Sequence, residues 1–304
     1  MRKLTAFFLF ALFFIMPFSS LAVEMPPPQR ALEEIEISLY GEANPGPFAT
    51  RLGRIEEDIF GKVNEGAFVA RIADAYNYVK GESFPEGSVK LRLNVIEWAL
   101  FKKLSSVSVI TRLNEIEQQF YGEKQLGTIF SRVNKISSDI FPAGTFRTES
   151  IKIPAGTIVI VNLDTTLDSE KTNAGAVVSF TVAEDIKVNG KVVIPAGRQG
   201  RGSVLNVSPS GNLGKGGSME ISFTNLEAID ETNLKVGMTD RTIKEFNSKN
   251  QNIAASPSVD GAVIFNQGSL SVGFFVKGKE LVIPSGIKLS LEVRYDVLVT
   301  GVYF

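Results

Sequence analysis

The chain is 304 residues long with 32 basic and 33 acidic side chains, so its net charge is -1 and it offers no basic footprint for nucleic acid. It contains no cysteine and no histidine, which excludes disulfides, thiol nucleophiles, imidazole-based triads and the usual zinc sites. Carboxylate, lysine and tyrosine chemistry is what remains.

Arg2 and Lys3 precede an apolar run from Leu4 to Phe18, which exits through Ser20, Leu21 and Ala22. That order predicts a secretory signal, with cleavage after Ala22 preferred over an uncleaved N-terminal anchor and the remainder exported either way. The run holds about fifteen residues, short of the roughly 20 that a spanning helix needs. No later stretch is long and apolar enough to cross a bilayer as a helix. Without the first 22 residues the chain carries 30 basic against 33 acidic groups, a charge of about -3. About 280 residues remain, enough for two domains with cores of their own.

From Pro26 to about Pro142 the sequence repeats every 20 or 21 residues. Thr50 to Gly61 aligns with Thr111 to Gly122, placing Arg51, Leu52, Ile55 and Glu56 on Arg112, Leu113, Ile116 and Glu117. Leu52, Ile55, Ile59 and Phe60 fall on one helical face. The same register predicts six short helices, at 31–41, 51–61, 71–81, 92–102, 112–122 and 132–142. Arg opens five units and Gly closes four, the latter suited to the left-handed residue that ends a helix. Thr50, Thr111 and Ser131 are the expected N-caps. Equivalent units lie 61 residues apart, which predicts a duplicated three-helix module. Helices this short bury an apolar face only against neighbours, as a bundle or short solenoid. The row formed by Arg51, Glu56, Arg112 and Glu117 has two readings: a ligand-binding row, or solvated charge and helix-to-helix pairing. Trp98, the sole tryptophan, lies beside Ile96 and Leu100 and is expected to be partly packed in the core, against its other reading as an exposed ligand platform.

These units resemble the Arg-Leu-x-x-Ile/Leu-Glu-x-x-Phe/Tyr-Gly repeats of exported proteins from bacteria with outer membranes. The resemblance implies packing or protein interaction and no catalytic residue.

After Phe141 the composition shifts toward Gly, Val, Ser, Thr and Asn, and short alternating runs predict strands. Ile153-Pro154-Ala155-Gly156, Ile194-Pro195-Ala196-Gly197 and Ile283-Pro284-Ser285-Gly286 are repeated tight turns, with Phe141-Pro142-Ala143-Gly144 as a degenerate copy. Asn189-Gly190 between apolar runs marks a two-residue hairpin, and 275–283 repeats its plan. A loop-rich insertion is expected from about Thr239 to Gly268. The stretch from Ile153 to Ser169, with Val192 to Gly197 and Gly200 to Val204, resembles the C-terminal β-barrel domain of the TrbI-like family. Members of that family form outer-membrane channels in type IV secretion machines. The match covers about 55 residues and rests on turn-forming motifs, so it implies a fold more than a role.

Asp164, Asp168, Glu170, Glu184 and Asp185 are the carboxylates that could pair for glycosidic cleavage or bind Ca²⁺ through oxygen alone, although no EF-hand spacing is present. Gly211 to Ser218 fails the phosphate-loop pattern, because Gly216 follows Lys215, and reads as a hairpin tip. Glycan contact through Asn212 and Lys215 is its other reading. The run from Val297 to Phe304 reads as a barrel-closing or edge strand, against an outer-membrane strand.

The expected fold is α+β as two domains: a signal at 1–22, an all-α helical repeat at 23–142, and an all-β barrel or sandwich at 143–304. The expected role is a non-enzymatic envelope protein, in the periplasm or against the outer membrane, docking to envelope proteins or cell-wall polymer. No catalytic residue, metal ligand or cofactor is assigned. Nucleic acid is excluded as a partner, the mature chain is given no transmembrane helix, and there is room for an oligomer. The rival readings are a carboxylate-dependent glycan hydrolase and an outer-membrane assembly or channel-associated component.

Overall fold

The computed structural model describes residues 25–81, 87–250, 262–266 and 271–304. The predicted signal at 1–22 lies outside them. Six helices form where the repeat places them: α1 (Pro28–Tyr40), α2 (Phe48–Phe60), α3 (Phe68–Lys80), α4 (Val89–Phe101), α5 (Val109–Phe120) and α6 (Ile129–Ile140). Each starts three residues before the opening position of its repeat, which corrects the predicted caps. The hydroxyls of Ser88, Ser108 and Thr128 accept from the N–H groups of Leu91, Thr111 and Ser131. Thr111 and Ser131 therefore sit inside the first turn, and Thr50 lies within α2. The extra turn is favoured because Val89, Val109 and Ile129, its first residues, are buried. In the first module Pro27, Pro47 and Ala67 precede the helices and supply no side-chain cap.

Repeat positions bury alike. Leu32, Ile35 and Leu39, then Leu52, Ile55 and Ile59, then Leu113 and Ile116, then Val133 and Ile136 share one core. Helix α1 packs on α3 and α5, α2 on α3 and α6, and α4 on α3, α5 and α6.

The second domain is an antiparallel, nearly closed barrel. Its strands begin with β1 (Arg147–Ile153), β2 (Ile158–Leu163), β3 (Leu167–Asp168), β4 (Val177–Val182), β5 (Ile186–Val188), β6 (Lys191–Ile194), β7 (Gln199–Ser208) and β8 (Ser218–Glu227). There follow β9 (Asn233–Leu234), β10 (Val236–Gly237), β11 (Ala262–Asn266), β12 (Ser271–Val276), β13 (Val282–Ile283), β14 (Lys288–Val293) and β15 (Val297–Tyr303). The main sheet runs β10-β14-β2-β4-β7-β8-β12-β11, and a second runs β1-β15-β6-β5. Asn189 and Gly190, both at positive φ, turn the hairpin between β5 and β6. Strand β15 pairs with β1 along its whole length, in register from Arg147 opposite Tyr303 to Ile153 opposite Val297.

The stretch read as a loop-rich insertion contains a helix, α7 (Asp240–Asn250), and strand β11. Ile243 and Phe246 bury one face of α7 in the barrel core. Asn247 brackets Ile264, donating to its carbonyl at 2.9 Å and accepting from its N–H at 3.1 Å. Two apolar residues one turn apart among polar neighbours make too weak a period to announce a helix. The barrel has its own core, yet Phe146, Val192, Ile229 and Val302 belong to the helical one. The two cores meet along α4, whose Val89, Leu91, Leu93, Val95, Ile96 and Trp98 are buried on all sides of the helix.

Candidate functional site

The charged row resolves first. Arg51, Arg71, Arg112 and Arg132 each reach back fifteen residues to Glu36, Glu56, Glu97 and Glu117, donating through Nε and Nη2 to both carboxylate oxygens. For Arg112 and Glu97 the distances are 2.9 and 2.8 Å. Glu36, Glu97 and Glu117 also accept the N–H of Asn44, Ser105 and Gln125 in the loop that follows. All four glutamates are buried. A planar guanidinium matches a carboxylate as a fork, which fixes the angle of each helix on the last. The row is thus helix-to-helix pairing. It breaks at the module boundary, where Arg92 crosses to α6 and donates to Asn134 at 2.6 Å.

The seam between array and barrel is built on α4. Asn94 donates to the carbonyl of Ile229 at 2.7 Å, and Lys90 pairs with Glu231. Trp98 Nε1 donates to Asp185 Oδ1 at 2.8 Å, and the same oxygen accepts the N–H of Ala196, inside the second Pro-x-Gly turn, at 2.8 Å. The other two turns are clamped alike. Asp296 accepts from Ala155 at 2.9 Å and Thr166 from Ser285 at 3.1 Å. The N–H of Ala155, with Lys152, holds the Asp296 carboxyl below its ordinary range. Of the three clamps, Asp185 is the one shared with the helical array. Gly197 completes the contact: a Cβ there would stand 2.0 Å from the carbonyl oxygen of Lys102, so only glycine lets the turn rest on the end of α4.

Aromatic rings close the seam. Phe304 stacks on Trp98 at 5.5 Å and on Phe141 at 5.1 Å, and Phe141 meets Phe146 edge-on. Trp98 is 5% exposed, so it is packed as expected, but against the barrel as well as the helices. Because it is the sole tryptophan, its emission reports the seam directly. Asp185→Ala should shift that emission to the red, speed its quenching by acrylamide, and cost about 1–3 kcal/mol through the two unmet donors. Asp296→Ala, which removes the equivalent clamp on another turn, should leave the emission unchanged. Identical spectra from both variants would remove Asp185 from the seam.

Beside the clasp lies a cleft of about 320 Å³ between the α4–α5 loop, at Ser105 and Ser106, and Arg198, Arg201, Asn225 and Glu227 of the barrel. Arg198 is buried at its floor, donates to the carbonyl of Ala228 at 2.7 Å and lies 3.5 Å from Glu227. Burial pulls its pKa down, while Glu227 opposes that effect. The lining offers hydrogen bonds from guanidinium, amide and hydroxyl groups.

Four of the five carboxylates singled out in the sequence are engaged. Asp164 accepts from Thr181, and Glu170 holds the N–H and hydroxyl of Ser210. Asp168 accepts from Lys171 and from the N–H of Glu170, and these bonds, Lys171 first, lower its pKa. Glu184 is exposed. Among the described residues no group of three or more acidic side chains gathers as a metal site would, and no helix is long and apolar enough to cross a membrane. The loop from Gly211 to Ser218 is a hairpin tip closed by a bridge between Gly211 and Lys215, with Leu213 fully exposed. Gly216 packs against the backbone at Val276, where a Cβ would stand 1.6 Å from the carbonyl oxygen.

No family model and no curated protein matches the chain. Among solved structures, that of ComB10 of the Com type IV secretion system of Helicobacter pylori is similar over 48% of this chain and 90% of that one. The identity is 15% and the TM-score 0.24. A superposition that loose specifies no shared site.

Asp185 and Gly197 were legible in sequence as one of several acidic residues and one of several turn glycines. The signal that distinguishes them is α4 itself, since a helix apolar all round must be covered on both sides.

Proposed function

We propose that the chain is a non-enzymatic scaffold of the cell envelope, whose helical array is held on the barrel so that the two present one rigid docking surface to other envelope proteins. The observation that carries this reading is the seam, where Trp98, Asp185, the second Pro-x-Gly turn and Phe304 fix the array to the barrel. Four of the five carboxylates that a hydrolase could draw on are engaged, Asp164, Asp168 and Glu170 within the barrel and Asp185 on α4, which supports the same reading. The envelope location rests on the signal read at 1–22, and the resemblance of the barrel turns to TrbI-like domains points to a part that works by assembly.

Deleting the helices is a poor test, because Val192, Ile229 and Val302 of the barrel would lose their cover. The intact protein should instead fractionate with the envelope and cross-link to another envelope protein. Purified protein should release no soluble fragment from muropeptide or polysaccharide. Release of fragments that is lost in Asp164→Asn, Asp168→Asn or Glu184→Gln would overturn the reading in favour of a glycan hydrolase.

A further inference from the structure

Within the array, the end of one helix meets the start of the helix four places on. Gly41 closes α1, and a Cβ on it would lie 3.7 Å from Ser108, the cap of α5. Gly61 closes α2 and would meet Thr128, the cap of α6, at 2.9 Å. The starts of α4, α5 and α6 are capped, and their first residues are buried. Two starts in the first module are open. Phe48 at the head of α2 is 40% exposed, and Val69 in the first turn of α3 is 54% exposed. Phe68 lies between them, edge-on to Phe48 at 6.3 Å. Among the described residues, the end of α5 is open too. Gly122, following α5, holds the register of Gly41 and Gly61, yet a Cβ there would meet nothing within 4 Å. Phe120 and Leu126 flank it, 39% and 98% exposed. Helices α4 and α6 instead end against the barrel, at Lys102 and Phe141.

We infer that a second copy of this chain continues the stack, with the start of α3 in one copy, at Phe68 and Val69, docking on the end of α5 in the next, at Phe120, Gly122 and Leu126. Two arguments select this occupant. The internal step is four helices, and four helices on from α5 in a six-helix array is α3 of a following copy. Both unmet surfaces are also apolar, whereas the capped starts that are already covered use hydroxyl groups. A start-on-end contact is heterologous, so it propagates into a ring or short filament and does not close as a two-fold pair.

The test uses the purified chain alone, so it is independent of any envelope partner. Sedimentation over a wide range of concentration should show the mass rising to about twice the monomer and beyond. Val69→Glu and Leu126→Glu should each remain monomeric. Both should fold, since Val69 lies in an exposed first turn, where an acidic residue suits the helix dipole, and Leu126 is in a loop and almost wholly exposed. An equimolar mixture of the two variants should form a dimer and stop there, because one intact start meets one intact end. A wild-type chain that stays monomeric throughout overturns the inference. So does a variant that associates like wild type, or a mixture that stays monomeric while wild type assembles.

Discussion

Glu97→Ala should lower the folding stability by about 3–5 kcal/mol, the range for removing one partner from a buried ion pair. Glu97 and Arg112 are 5% and 2% exposed, and the guanidinium has one further bond, to Asn94 at 2.7 Å. Without the carboxylate, a buried cation keeps a single neutral acceptor and the N–H of Ser105 loses its partner. Arg112→Lys should not preserve stability, because an ammonium cannot reach both oxygens in the fork geometry. The comparison variant is Arg30→Ala, whose guanidinium is 74% exposed and bonds Glu34 one turn away; its expected cost is below about 0.5 kcal/mol. Denaturant unfolding gives both values. Equal midpoint shifts for the two alanine variants would show that the repeated pair is not what orients the helices.

Gly197→Ala should be costly for a different reason. Gly156, Gly197 and Gly286 occupy equivalent turns at φ of +82°, +80° and +82°, so the backbone penalty of alanine, about 1–2 kcal/mol, is common to all three. At Gly156 and Gly286 a Cβ meets nothing within 4 Å, whereas at Gly197 it would stand 2.0 Å from the Lys102 carbonyl oxygen. Backbone on both sides leaves no flexible side chain to move aside. Overpacking of this kind adds about 1–3 kcal/mol, so Gly197→Ala should cost about 2–5 kcal/mol. The same variant should shift the Trp98 emission, since lifting the turn draws Ala196 away from Asp185. Gly156→Ala and Gly286→Ala should not. If all three variants lose equal stability and leave the emission alone, the turn does not bear on α4.

Short-range physics made much of this protein legible before any coordinates. The six helices follow from apolar residues recurring at helical spacing, and the turns at Gly156, Gly197 and Gly286 from a proline at the second and a glycine at the fourth position of each motif. The hairpin at Asn189 and Gly190 follows from an Asn-Gly pair, which tolerates the two positive φ angles such a turn requires. Each of these preferences acts over four or five residues, so the sequence carries it locally. Helix starts were less legible because Ser108 and Thr111, or Thr128 and Ser131, are both plausible caps by type, and burial of Val109 and Ile129 decided between them. Helix α7 was illegible because its apolar face is one turn long and is stabilised by Asn247 bonding across to Ile264.

Composition and periodicity alone determined the absence of imidazole and thiol chemistry, the repeat, and the change from helices to strands at about residue 142. The tertiary structure decided which glutamate each arginine holds, which of three equivalent turns meets the helices, and which of five carboxylates receives the indole N–H. Trp98 and Asp185 are 87 residues apart in sequence, as is evident from their numbering, and Lys102 and Gly197 are further apart still. No local preference selects such partners. They are chosen by how two cores pack along a helix that is apolar on every face, and that packing is a property of the whole chain.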